Sequence, residues 1–188
     1  MPIDEKYLLY EQLLKEWNQK MNLVSPGTLD DVRGRHIDDS AQLAKYIPQN
    51  KIVVDLGSGA GFPGVVLAIL GFEVIAVESI EKKCRFLGTL ASKLNLPNLK
   101  ILNERVEKAV PNIIKNAKNR KNLVFTARAF APLIRILDLT KKLDNFYVLL
   151  KGRQAKEEIA AARAKHKFEA DLYPSETGDG FIIKLTTK

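Results

Sequence analysis

A chain of 188 residues with 46% hydrophobic content can fill one α/β domain and a short appendage. Its 30 Lys and Arg against 22 Asp and Glu give a formal net charge of +8, which points to an acidic partner, nucleic acid first, with a merely soluble basic protein as the plainer reading. One cysteine, Cys84, excludes an internal disulfide, and the longest uncharged run, Leu56 to Phe72, carries glycines and a proline that exclude a membrane span. Met1 to Lys6 is polar, so no secretory leader is expected and a reducing cytoplasm fits. With His36 and His166 as the only histidines, no metal site of standard ligand count is expected.

Tyr7, Tyr10, Leu14, Trp17 and Met21 recur at helical spacing, which predicts an amphipathic helix over residues 4–22. Thr28, with Asp31 after it, reads as the N-cap of a second helix carrying Leu29, Val32 and His36 and then, past an interruption, Leu43 to Tyr46. No strand pattern appears before Pro48-Gln49-Asn50. Residues 1–50 are therefore expected to be a helical extension packed on a sheet domain of residues 51–188, roofing its crevice.

Ile52 to Leu56 reads as a buried parallel strand, followed by Gly57, Gly59, Gly61 and Gly64. Pro63 stands where a helix can begin, so strand, glycine turn and helix form the cofactor crevice of an open α/β sheet. Gly59-x-Gly61-x-x-Gly64 fits a dinucleotide fingerprint as a string but begins late relative to the strand. The phasing Asp55-x-Gly57-x-Gly59-x-Gly61 resembles instead the first motif of S-adenosylmethionine-dependent methyltransferases. Glu78 closes the next strand, where a carboxylate can accept ribose hydroxyls from either cofactor.

Strands are predicted at Ile52–Leu56, Glu73–Glu78, Lys100–Asn103, Leu123–Thr126 and Phe146–Leu150. Helices are predicted near Pro63–Leu70, Glu81–Asn95, Val106–Lys115, Pro132–Lys141 and Arg153–Lys165. Lys167–Tyr173 and Phe181–Thr186 look like a closing hairpin, which makes one strand antiparallel. The expected fold is a seven-stranded, mostly parallel Rossmann-like sheet of class I methyltransferase type. His166, at a helix end, is expected to be exposed. Polar residues gather past the strand ends: Glu78, Arg105, Glu107, Arg128 and Lys151.

Trp17-Asn18, Arg35-His36-Ile37-x-Asp39-Ser40, the Asp55–Gly64 loop, Glu78-Ser79, Arg105-Val-Glu107, Arg128-Ala-Phe130 and Lys151-Gly152 occur in order. Together they resemble the bacterial small-subunit (16S) ribosomal RNA guanine-N7 methyltransferases, the RsmG or glucose-inhibited division protein B family. The resemblance covers nearly the whole chain. It implies that Gly57, Ser58, Gly59 and the neighbourhood of Phe62 hold the methionine part and ribose of S-adenosylmethionine, and that Glu78 takes the ribose hydroxyls. It further implies Val106 and Glu107 beside the adenine, Arg128 facing the methyl-transfer pocket, and Arg35, His36, Asp39 and Lys151 on the side of the RNA. Ala127 stands where many relatives have serine, so a hydroxyl role there is not carried over.

Guanine N7 has a lone pair and no proton, so no catalytic acid or base is expected. There is no Pro-Pro pair of the kind found with amine methylation, and Cys84 falls inside a predicted helix rather than at a strand end. An A-form duplex hides N7 in its deep groove, so the target belongs in a loop or is swung out. Lys82-Lys83-x-Arg85 and Lys115–Lys121 could hold phosphates or be ordinary solvated surface. His36 could equally pair locally. A monomer acting on 16S RNA or the small subunit is expected. A nicotinamide-dependent oxidoreductase and a non-catalytic RNA-binding protein of the same fold remain the alternatives.

Overall fold

Helix α1, Ile3–Asn18, begins with Asp4 and Glu5 at its positive end and ends earlier than the periodicity predicts. The Asn18 side chain turns the chain there: its Oδ1 accepts the N–H groups of Leu23 and Val24 at 2.9 Å each, leaving Met21 outside the helix. The computed structural model describes residues 1–140 and 145–187.

No single second helix forms. Pro26–Asp31 is a 3-10 turn, Arg33–Asp38 a π-helical turn, Asp39–Ala41 (α2) one α-turn and Gln42–Lys45 another 3-10 turn. Thr28 is not the cap expected of it; its Oγ1 donates to Ser25 O within the first turn, while Asp31 Oδ1 accepts Gly34 N–H. Pro26, Gly27 and Gly34 are weak α-formers, and the wider π turn re-aims Arg35, His36 and Asp39.

The sheet has strands β1 Ile52–Leu56, β2 Glu73–Glu78, β3 Leu99–Asn103, β4 Leu123–Thr126, β5 Phe146–Lys151, β6 Phe168–Pro174 and β7 Phe181–Thr187, in spatial order β3-β2-β1-β4-β5-β7-β6. Strands β1 to β5 pair in parallel, and β7 runs antiparallel to both its neighbours. The order reverses between β1 and β4, which opens the crevice past their carboxyl ends.

The remaining helices are α3 Gly64–Ile69, α4 Glu81–Lys93, α5 Val106–Asn116, α6 Leu133–Leu139 and α7 Ala155–Arg163. Lys141, the predicted end of α6, lies outside the described residues. His166 is not exposed: past α7 it folds back so that Nε2 lies 3.1 Å from Asp138 of α6.

Both faces of the sheet's centre are covered, which is why β1, β4 and β5 lack polar alternation. Val54, Val77 and Tyr147 pack under α5, α6 and α7. Val53, Val74 and Val148 face the other way, in one apolar cluster with Val65, Phe86 and with Tyr10, Leu14, Ile37 and Leu43 of the first 50 residues. The helical segment thus contributes to the sheet's core rather than owning one.

Candidate cofactor and substrate cavities

Past Leu56 the backbone keeps its grip on β2: Gly57 and Ser58 N–H both donate to Val77 O, at 2.9 and 3.0 Å. Gly57 has φ +69°, and a Cβ there would run into the Phe130 ring. Glu78, buried at the end of β2, takes Gly59 N–H on Oε2 (2.9 Å) and Ile80 N–H on Oε1 (2.8 Å). A cavity of about 500 Å³ opens against this turn. Gly57, Gly59, Glu78, Val106 and Glu107 line it, as does Arg105. Ser58 lies beneath the turn, its Oγ 3.2 Å from Asp55 O.

A second cavity of about 780 Å³ adjoins the first, and the two share Ala129, Phe130 and Ala131. Arg35, His36, Asp39 and Lys151 all line this second cavity, and Arg128 joins them here rather than in the first. The dividing segment includes the non-glycine residue Ala129 at φ +51°.

Arg128 is held from several sides. Its Nη1 donates to Arg35 O (3.2 Å) and Asp39 Oδ2 (3.4 Å), Nη2 donates to His36 Nδ1 (2.8 Å), and the guanidinium sits 4.8 Å from the centre of the Phe62 ring. Burial pulls its pKa down, opposed by the charge of Asp39. Of the five N–H donors of a guanidinium, two remain for a ligand. Phe62 lines neither cavity. It is sandwiched between Tyr10 (5.1 Å, 14° between planes) and His36 (5.0 Å, 24°), below the turn that sequence reasoning assigned it to line.

Lys151, at the end of β5, donates to Ala131 O (2.5 Å) and Glu158 Oε2 (2.7 Å), and Glu158 also accepts Leu133 N–H (2.6 Å). The pair fixes the dividing segment to the start of α6. Sequence reasoning missed Glu158, which carries no motif signal. It also missed the loop between β6 and β7, whose Ser175 and Thr177 hydroxyls donate to Asp39 Oδ1 and whose Glu176 pairs with Lys45 at 2.7 Å. The helical segment and the hairpin are thereby clasped across the mouth of the second cavity.

Two buried titratable groups oppose each other. His36 is lowered to about 4 by burial, then by Arg128 and Arg35. Asp55 is raised to about 6 by burial: its Oδ2 accepts Gly64 N–H at 3.1 Å and its Oδ1 has no hydrogen-bond partner. Between pH 6.5 and 4 the unfolded chain binds a proton that folded His36 refuses, so acidification costs stability. Between pH 6 and 3.8 folded Asp55 binds one before the unfolded chain does, so acidification adds stability. Asp55→Asn removes only the second effect. The variant should lose about 2 kcal/mol more than the parent between pH 7 and pH 4 in urea titrations. Parallel losses in the two proteins would contradict the assignment.

The strand order, the reversed β7 and the glycine turn at the switch point define a class I S-adenosylmethionine-dependent methyltransferase fold. An O-methyltransferase from Bacillus cereus solved with SAH superposes with a TM-score of 0.63 at 14% identity, covering 95% of this chain and 90% of that one. A SAM-dependent methyltransferase from Aquifex aeolicus gives 0.59 at 13%, covering 94% and 97%. At these identities the likeness is one of fold. The profile of the GidB family, described as rRNA small subunit methyltransferase G, matches residues 3–175. Curated relatives named ribosomal RNA small subunit methyltransferase G include one from Gluconobacter oxydans, 39% identical over 187 residues (97% of this chain, 92% of the relative). Another, from Orientia tsutsugamushi (strain Boryong), is 43% identical over 182 residues (95% and 87%). The chain belongs to this family and is a methyltransferase, which decides against the nicotinamide reading. Among the described residues no helix is long and apolar enough to cross a membrane, and no group of three or more His, Cys, Asp or Glu is placed to hold a metal ion.

Proposed function

We propose that the chain transfers the methyl group of S-adenosylmethionine to N7 of a guanine in small-subunit ribosomal RNA. The observation that carries this is adjacency: a glycine-walled cavity with a buried carboxylate meets a larger one, lined by Arg35, His36 and Arg128, across only Ala129, Phe130 and Ala131. The first suits the cofactor. At Gly59 a Cβ would meet only Gly57 O, at 3.7 Å, so the turn is open there, and each Glu78 oxygen accepts one backbone N–H and keeps a lone pair for a ribose hydroxyl. Val106 and Glu107 would flank the adenine, and Ser58 and Phe62 would support the turn from below.

S-adenosylmethionine, when bound, supplies a methyl group on a positively charged sulfur. The chain's own task is then to bring the base edge to it. Arg128 would orient the guanine with its two remaining donors, Arg35 would add positive charge for a phosphate, and Lys151, paired with Glu158, would brace the wall of the base cavity. Residues 1–50 would roof the base cavity, and residues 51–188 would hold the cofactor. N7 needs no base, and the groups that could act as one are engaged: both His36 nitrogens are hydrogen-bonded, and burial pushes the Cys84 thiol up while its Sγ lies 3.3 Å from Glu78 O. Alignment alone can supply about 7–11 kcal/mol.

Transfer of labelled methyl to small ribosomal subunits tests the reading; no label in RNA would refute it. A narrower expectation concerns Glu78→Gln, which removes a charged acceptor of the ribose diol. S-adenosylhomocysteine should bind about 10–100-fold more weakly by calorimetry. An unchanged Kd would remove Glu78 from the cofactor site.

A further inference from the structure

A guanidinium can only donate, so His36 Nδ1, 2.8 Å from Arg128 Nη2, must carry a lone pair. The ring proton therefore sits on Nε2, 2.8 Å from Thr28 Oγ1, and the Thr28 hydroxyl passes its own hydrogen to Ser25 O at 2.7 Å. Donors run one way from the ring to the backbone. The imidazole is 7% exposed and stacked on Phe62, which opposes a flip that would exchange its nitrogens. Thr28 touches neither cavity, yet its hydroxyl, committed as a donor to Ser25 O, can only accept from Nε2, so Thr28 and Arg128 hold the same His36 tautomer from opposite sides of the ring. Resting on the function proposed above, we infer that Thr28 is a positioning residue: it anchors the Nε2 side of His36 in this tautomer and, through His36, the Arg128 guanidinium that meets the target base.

Thr28→Val keeps the shape and removes the hydroxyl, whereas Thr28→Ser keeps the hydroxyl. Valine should lower kcat for methyl transfer about fivefold to tenfold, the worth of one hydrogen bond, with S-adenosylhomocysteine affinity unchanged. Serine should restore kcat. Nitrogen-15 NMR of the imidazole supplies a readout that packing alone does not move. His36 Nδ1 should be unprotonated in the parent and partly protonated in Thr28→Val. Parental kcat in the valine variant, equal loss in both variants, or a protonated Nδ1 in the parent each overturn the inference. If the parent moves no methyl to RNA, the proposed function fails, while the NMR shifts still decide whether Thr28 sets the tautomer.

Discussion

Arg128→Ala should lower methyl transfer to RNA by about 100-fold or more, the cost of losing one preorganised donor group or of misplacing a reactant by an ångström. S-adenosylhomocysteine binding should be retained, because Arg128 lies in the larger cavity and Glu78 in the smaller. The fold should also survive, since Asp39 keeps Gln42, Ser175 and Thr177 as donors when the guanidinium is gone. Arg128→Lys is not expected to rescue activity. A single ammonium cannot reproduce a planar group that donates to Arg35 O, Asp39 and His36 at once while lying over Phe62. Turnover within a few-fold of the parent in Arg128→Ala would take the residue out of the site.

The second large effect is on stability and reaches the cofactor through the fold. Tyr10 is completely buried, stacks on Phe62 and donates its hydroxyl to Ala60 O at 2.7 Å. It packs so closely that a Cβ at Gly61 would come within 2.6 Å of its Oη. Tyr10→Ala should cost about 3–5 kcal/mol by opening a cavity where helix, turn and sheet meet. Tyr10→Phe should cost about 1–3 kcal/mol, since it strands the buried Ala60 carbonyl. Urea unfolding measures both. S-adenosylhomocysteine affinity should fall in the alanine variant, because the segment carrying Ala60 also carries Gly57 and Gly59. A cost below that of Tyr10→Phe would mean that the stack contributes little.

The sheet was legible because its residues obey local rules. Ile52 to Leu56 is uniformly apolar until Asp55, and the glycines that follow announce the turn. Both the alternation of strands with helices and the closing hairpin followed from the same patterns. The helical turns of residues 26–45 were not legible: their apolar spacing suits a helix, and it is tertiary contact that winds them into short 3-10 and π segments. The hydrogen bonds that His36 donates to Thr28 and accepts from Arg128, and those that Asp39 accepts from the hairpin, belong to that contact.

The same distinction separates the site residues. Gly57, Gly59 and Glu78 occupy strand ends whose positions the fold dictates, so sequence phasing places them. Phe62 follows the turn in sequence but points beneath it, where two aromatic rings offer a better environment than the cavity wall. Lys151 was placed correctly at a strand end, but its partner Glu158 lies a helix turn beyond Gly152, with only geometry to connect them.

Two adjoining cavities, one for a methyl donor and one for a guanine, should leave the label on a single kind of atom, N7. The most direct measurement is to methylate small subunits lacking this modification with labelled S-adenosylmethionine, digest the RNA and identify the labelled nucleoside by mass spectrometry. Label is expected in 7-methylguanosine and should be lost in Arg128→Ala. Label in any other nucleoside, or equal label from the variant, would contradict it.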